Sequence, residues 1–349
     1  MKFLTAILML LPFFTLAQID FTQVSEIDNT FFKLDRFWRG ADGGATVALG
    51  PHRILWLFSD TFIDLDGTGK RSNAKSMIRN SIAIQHSISL DAEVTYHYRG
   101  TVEDPQDFFQ LEGGNWFWTG HGVLIGDKLV VFLMEVKSTN TGLGFEIIGW
   151  WMARVDNPAD NPDNWIINYF KGPETFGVIA GSSAVLQEAD YIYTFGVKEP
   201  DSHETYLFRF EKTRLYHGDL SNLECWIDQS WTTIVPEEPK PSSLFIGQTE
   251  FSVHFDRDLN KYIQIQTYGF GQASLGYRLA DQLQGPWSEP VLFYAPVLQD
   301  DGEFVYSANA HPELSSQGII ITYNVNHASF ERLLTNENIY FPKIIKLQF

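Results

Sequence analysis

Residues 40–61 read GADGGATVALGPHRILWLFSDT. Small residues fill the first half, Gly50 and Pro51 interrupt the middle, and the apolar run ILWLF fills the second half. Gly-Pro pairs punctuate chains as turns, so the stretch predicts two strands joined as a hairpin. Asp42 stands near the start of the first strand and Asp60 near the end of the second. An antiparallel return lays the start of one strand beside the end of the next. Eighteen residues apart in sequence, the two aspartates are therefore expected side by side, as turn residues or as a carboxylate pair.

The same pattern recurs outward along the chain. Convincing amphipathic helices are scarce, and short apolar or alternating runs (KLVVFLMEV, YIYTFGV, KYIQIQTYG, GIIITYNVN) lie between clusters of Gly, Asn, Asp and Pro, as expected of an all-β chain. Each run follows a small or polar segment: GADGGATVAL, TGHGVLIG, AGSSAVLQ, QTEFSVHF and SANAHPEL. Each is followed in turn by a further strand, giving five units that begin near residues 36, 115, 175, 245 and 303. A spacing of some 60–80 residues suits four strands and their loops. Five repeated four-stranded units predict a five-bladed β-propeller in which the small or polar segments line the central funnel; a β-sandwich is the competing all-β arrangement. VPEEPKPSS at 235–243 reads as an interblade loop rather than a linker, so residues 18–349 are expected to form one domain.

Composition narrows the partners. The 349 residues carry a formal net charge of −18, which repels nucleic acid and anionic lipid surfaces. Aromatic residues make up 15% of the chain, suiting either sugar platforms or ordinary strand packing. The single cysteine, Cys225, excludes an intrachain disulfide and a cysteine-based zinc site, and its apolar surroundings (LECWI) predict burial. MKFLTAILMLLPFFTLA at 1–17 reads as a secretory signal peptide. The expected location is therefore secreted or periplasmic, with no membrane association after processing and a monomeric state.

If the five small or polar segments start at one mouth, then Asp42, His121, Ser182 or Ser183, Glu250, and His311 with Glu313 converge there. Carboxylates and histidines in one funnel suit cleavage of a glycosidic bond, which needs one protonated carboxyl as acid and one carboxylate as base or nucleophile. Repulsion between close carboxylates and partial burial would keep one of them protonated. Glu250 is a third carboxylate that could tune the pair or act as acid. Arg39 could hold Asp42 ionised, Asn80 could bond a sugar or orient Asp60, and Trp38 and Trp118 could flank the site. His121 and His311 suit substrate hydroxyls, a metal, or backbone bonds within the tunnel. AGSSA lacks the G-x-S-x-G elbow of serine hydrolases, DLDGTG at 64–69 lacks the closing glutamate of a calcium loop, and GLGFEIIG has no βαβ context.

GADGG with LWLFSDTF, followed by IRNSIAI, TEFSVHFD, GPWSEPV and SANAHPEL…ITYNVN, resembles the five-bladed propeller glycoside hydrolases, the superfamily of arabinanases and fructosidases. The opening pair is most similar to the family that includes bacterial endo-D-arabinanases. This resemblance covers most of residues 36–346 and implies that Asp42 and Asp60 are catalytic. It implies a neutral, furanose-type polysaccharide or oligosaccharide as substrate, no required cofactor, and a structural calcium in the central channel. GADGG and FSDT replace the family's more usual G-T-D-L-G and F-G-D-T, so the sugar is expected to differ. A non-catalytic glycan-binding propeller is the alternative reading.

Overall fold

The computed structural model describes residues 23–348 apart from residues 75, 201, 235–242 and 315–317. The expected signal peptide and nearly all of the VPEEPKPSS loop thus lie outside the described residues.

The chain forms a five-bladed β-propeller. Blade 1 is built from Trp38–Gly50, Arg53–Ile63, Ser81–Gln85 and Val94–His97, and blade 2 from Trp116–Ile125, Lys128–Ser138, Phe145–Val155 and Ile167–Lys171. Blade 3 comprises Val178–Glu188, Tyr191–Lys198, Glu204–Glu211 and Glu224–Ile227, with Ser230–Thr233 as an added outer strand. Blade 4 comprises Ser252–Asp256, Lys261–Tyr268, Ser274–Ala280 and Val291–Tyr294. In each blade the first of these strands is innermost, and the inner strands touch one another around the axis.

Blade 5 is completed from both ends of the sequence. Glu303–Ala310, Ile319–His327 and Lys343–Gln348 supply three strands, and Gln23–Ile27 adds the fourth, antiparallel to Lys343–Gln348 with Gln23 opposite Gln348 and Ile27 opposite Ile344. The short run QVSEI carries too weak an alternation to announce this closure in the sequence.

Five apolar clusters fill the five wedges between neighbouring blades. Trp56 and Ile344 share the cluster between blades 1 and 5, Leu55 and Phe117 that between 1 and 2, and Phe132 and Ile192 that between 2 and 3. Phe195 meets Phe251 between 3 and 4, and Ile265 meets Ile321 between 4 and 5. Blade strands are covered on both faces, so they read as continuous apolar runs such as ILWLF rather than as a strict alternation. Cys225 is fully buried, as expected, and burial pushes its thiol up to about 12.

Candidate active site

Gly50 pairs with Arg53 across the predicted turn, and Trp38 pairs with Ile63 at the far end of the hairpin. Between these points the register slips at Trp38/Ala41, Ala41/Gly43 and Gly43/Ala45. Such bulges bend a strand and re-aim its side chains, and here they turn Asp42 toward the funnel beside Asp60. Glycine makes the bend possible. Gly40 has φ +108°, and a Cβ there would lie 2.3 Å from the carbonyl oxygen of Tyr340. At Gly43 (φ +80°) the carbonyl accepts hydrogen bonds from Ser307 Oγ (3.4 Å) and Asn324 Nδ2 (3.2 Å), tying the bulge to blade 5.

The two aspartates sit in different surroundings. Asp42 Oδ2 accepts hydrogen bonds from the phenols of Tyr306 (3.1 Å) and Tyr340 (3.2 Å), while its buried Oδ1 has no hydrogen-bond partner among the described residues. The Tyr340 hydroxyl is also 3.1 Å from the backbone oxygen of Asp60. Asp60 Oδ1 accepts from Trp118 Nε1 (2.9 Å), and the Arg79 guanidinium lies 3.3 Å away. Arg79 is held in turn over the Trp116 ring at 4.4 Å, and its backbone N–H donates to Asp107. All three funnel carboxylates, Asp42, Asp60 and Glu250, remain partly exposed.

These surroundings separate the protonation states. Loss of solvent raises both aspartates. For Asp42 the charges of Asp60 and Glu250 add to the burial and push it well above the usual carboxylate range, the two phenols opposing only in part. For Asp60, Arg79 and the Trp118 indole offset much of the burial, leaving a smaller rise. Burial pushes Glu250 up to about 7.

Below this tier the channel narrows to a cavity of about 10 Å³, lined by Gly43, Thr119, Ser182, Ser183, Glu250 and Asn309 among others, room for about one water. Deeper still, Thr46 Oγ1 bridges His311 Nδ1 (2.9 Å) and Glu313 Oε2 (3.0 Å), and His311 Nε2 meets Thr322 Oγ1 (2.7 Å). His121, two residues beyond Thr119 on its strand, has Nδ1 bonded to the Gly122 N–H. Burial drives both imidazoles down, His121 to about 4 and His311 to about 3, so both are neutral.

Asp42, Asp60, Glu250 and Trp118 are therefore brought together, with Ser182 just beneath them. His311 and Glu313 are not at this mouth. The blade 5 inner strand runs down the channel from Tyr306, beside Asp42, to Ala310, and both residues follow its lower end. Trp38 is fully buried, its indole donating to Ser81 Oγ and its face stacked on Tyr96, so it cannot touch a ligand in the funnel. Arg39 is buried and donates to the carbonyls of Lys33 and Asp35 and to Glu337, not to Asp42. Asn80 is sealed between blades, its amide bonded to Phe109 and Phe117 carbonyls and its oxygen to the Phe109 N–H.

Sequence reading missed Tyr306, Tyr340 and Arg79. Arg79 directly precedes Asn80 in a noted motif, but nothing in sequence pairs it with Asp60. Tyr306 stands one residue ahead of SANAHPEL. Tyr340 arrives from a loop at φ +61°, a conformation no local pattern announces. The channel also bears on the expected calcium. This cation prefers oxygen ligands, whereas both His311 nitrogens are engaged by threonine hydroxyls. Among the described residues no group of three or more His, Cys, Asp or Glu is set to hold a metal. These residues do not fit a calcium at His311, and no step below uses one.

The fold has a clear counterpart among solved structures. A Bacteroides ovatus ATCC 8483 protein provisionally described as a hydrolase superposes with a TM-score of 0.75 at 18% identity, over 91% of this chain and 88% of that one. Among more distant neighbours are glycoside hydrolases. They include a GH43_1 enzyme from Xanthomonas citri complexed with xylose (TM-score 0.48, 14% identity, 91% and 88% of the two chains). Another is the Bombyx mori GH32 β-fructofuranosidase BmSUC1 (TM-score 0.48, 11% identity, 91% and 62%). At these values the likeness bears on neither substrate nor residue roles. No curated protein matches the sequence. The chain is thus a five-bladed propeller with carboxylates gathered at one mouth. It belongs to the family described as a domain of unknown function, DUF5005, whose profile spans residues 27–348.

Proposed function

We propose that the protein is a secreted or periplasmic glycoside hydrolase acting on a neutral, furanose-type polysaccharide, with Asp42 and Asp60 as its working carboxylates. The observation that carries this reading is the unequal environment of two adjacent aspartates. Asp42 meets phenols and like charge, whereas Asp60 meets a guanidinium and an indole N–H. Environments that push two carboxyls apart in acidity assign an acid and a base. Asp42 carries the proton and delivers it to the glycosidic oxygen as the C–O bond breaks. Asp60, the more readily ionised of the two, attacks the anomeric carbon or takes a proton from the water that does. Glu250 raises the Asp42 pKa through its charge.

The net charge of −18 favours a neutral glycan over a uronate-rich one, and the resemblance of the opening hairpin to that of the endo-D-arabinanases supports a furanose, the departures at GADGG and FSDT bearing on which furanose. The leader-like residues 1–17 support export. The decisive measurement is incubation of the protein with arabinans, fructans and galactans, followed by product analysis. The wild type is expected to release oligosaccharides from one of them. Asp42→Asn and Asp60→Asn are each expected to lower turnover by about 10²–10⁴-fold, with the fold intact by circular dichroism. Turnover that survives both substitutions overturns the assignment, and binding without turnover by the wild type selects the non-catalytic glycan-binding propeller instead.

A further inference from the structure

Phe270 is the most exposed large apolar side chain among the described residues, at 87% of its full accessibility. It is nevertheless not loose on the surface. Its ring stacks on Phe304 with centroids 5.6 Å apart and planes inclined by 22°. Phe304 in turn lies 5.6 Å from Tyr306, whose hydroxyl reaches Asp42. Phe304 and Tyr306 are two apart on the inner strand of blade 5, so the strand period sets them on one face. The loop carrying Phe270 joins Lys261–Tyr268 to Ser274–Ala280 and is pinned to that strand, its Gly271 carbonyl accepting from the Val305 N–H at 3.2 Å. Three rings thus form a continuous ladder from solvent to the carboxylates.

Many of the chain's aromatics are buried in the interblade wedges, and the other exposed phenylalanines, Phe330 at 57% and Phe255 at 43%, are covered further, which makes a ring left almost wholly in water unusual. Its cost in exposed apolar surface is offset when a ligand covers it. A neutral sugar has the matching chemistry: axial C–H groups pack on an aromatic face, while its hydroxyls stay in water. On the other flank of Asp60 stands a second aromatic group, Trp118, which packs edge-on against Phe145. Blades 2 and 5 both adjoin blade 1, so aromatic surface borders the aspartates on two sides.

The geometry points to the Phe270–Phe304 stack as a remote sugar-binding subsite, which holds a unit of a neutral glycan chain several sugars from the bond at Asp42 and Asp60. The inference rests on the glycoside hydrolase reading for its catalytic readout but not for its binding readout. The test uses Phe270→Ala in the full chain; the ring is 87% exposed, so its removal opens no cavity and the thermal midpoint is expected to stay within a degree or two of wild type. Binding is measured by calorimetry and turnover by product analysis, with arabinan, levan and galactan and with their disaccharides and hexasaccharides. The expected result is a loss of about tenfold in affinity and in kcat/KM for the hexasaccharide and polymer, and a several-fold smaller loss for the disaccharide. Equal losses at both lengths, or none at either, overturn the subsite. Wild-type binding without turnover sinks the hydrolase reading while leaving the subsite to be judged by affinity alone. Absence of binding to every glycan sinks both.

Discussion

Among single residues, Tyr340 and Tyr306 govern Asp42 most directly. Each phenol donates to Oδ2 and so favours the carboxylate over the acid. Removing one donor raises the Asp42 pKa further. If Asp42 works as the proton donor, Tyr340→Phe shifts the basic limb of the pH–rate profile upward, and kcat falls about tenfold as the hydroxyl's contact with the Asp60 backbone is also lost. A profile unchanged in position would remove Asp42 from the acid role. The sequence made the aspartates legible because a hairpin dictates their meeting. It hid the phenols because each reaches Asp42 from blade 5, more than 260 positions away, and an ordinary strand tyrosine looks no different. The same limit explains Trp38, Arg39 and Asn80. All three are polar or amphipathic residues beside the right motifs, yet burial and local carbonyls claim them.

At the level of the element, the blade 1 hairpin is legible in outline and its bulges are not. GADGG announces flexible backbone, but only the structure assigns each glycine a task. Gly40 lets the strand pass under the Tyr340 carbonyl with φ +108°. Gly40→Ala places a methyl against that backbone oxygen in a conformation that side chains avoid, at a cost of about 2–4 kcal/mol. Chemical denaturation is expected to report that loss, and activity is expected to fall with it, because the displaced segment carries the Tyr340 phenol. Gly50→Ala is the control for the close approach alone, since Gly50 also has a positive φ, +150°, but a Cβ there meets nothing within 4 Å. It keeps the backbone strain without the clash, so its stability is expected to change less than that of Gly40→Ala. Equal effects at the two positions would dismiss the close approach as the reason for Gly40.

For the whole molecule, the five-unit repeat was legible because every blade repeats a small or polar inner segment ahead of an apolar strand. The vertical order of residues in the channel was not, since strand direction alone does not say how far down a side chain sits. That order matters for pH. Glu250 near the mouth and Glu313 in the lower channel are both pushed up by burial, to about 7 in each case. A carboxyl whose folded pKa exceeds its unfolded value binds protons more tightly when folded. Its contribution to stability is complete below about 4.5, the unfolded value, and is lost as pH rises through about 7. Self-repulsion of a chain at −18 acts in the same direction. His121 and His311, held neutral in the fold, act in the opposite direction below about 6.5, so the contribution of Glu313 is read by difference: the thermal midpoint of Glu313→Gln relative to wild type is expected to rise between pH 5.5 and pH 8. A difference that stays constant across this range would contradict the assignment.

The pairing of Gln23 with Gln348 has a further consequence for how the molecule presents itself. In blade 5 the strands alternate in direction, and Tyr306 marks the end that faces the carboxylates. Lys343–Gln348 runs away from that end and Gln23–Ile27 runs back toward it, so Gln23 and Gln348 lie together at the opposite rim. The described chain therefore enters and leaves at the rear of the disc, and neither of its ends lies at the rim where Asp42 and Asp60 stand.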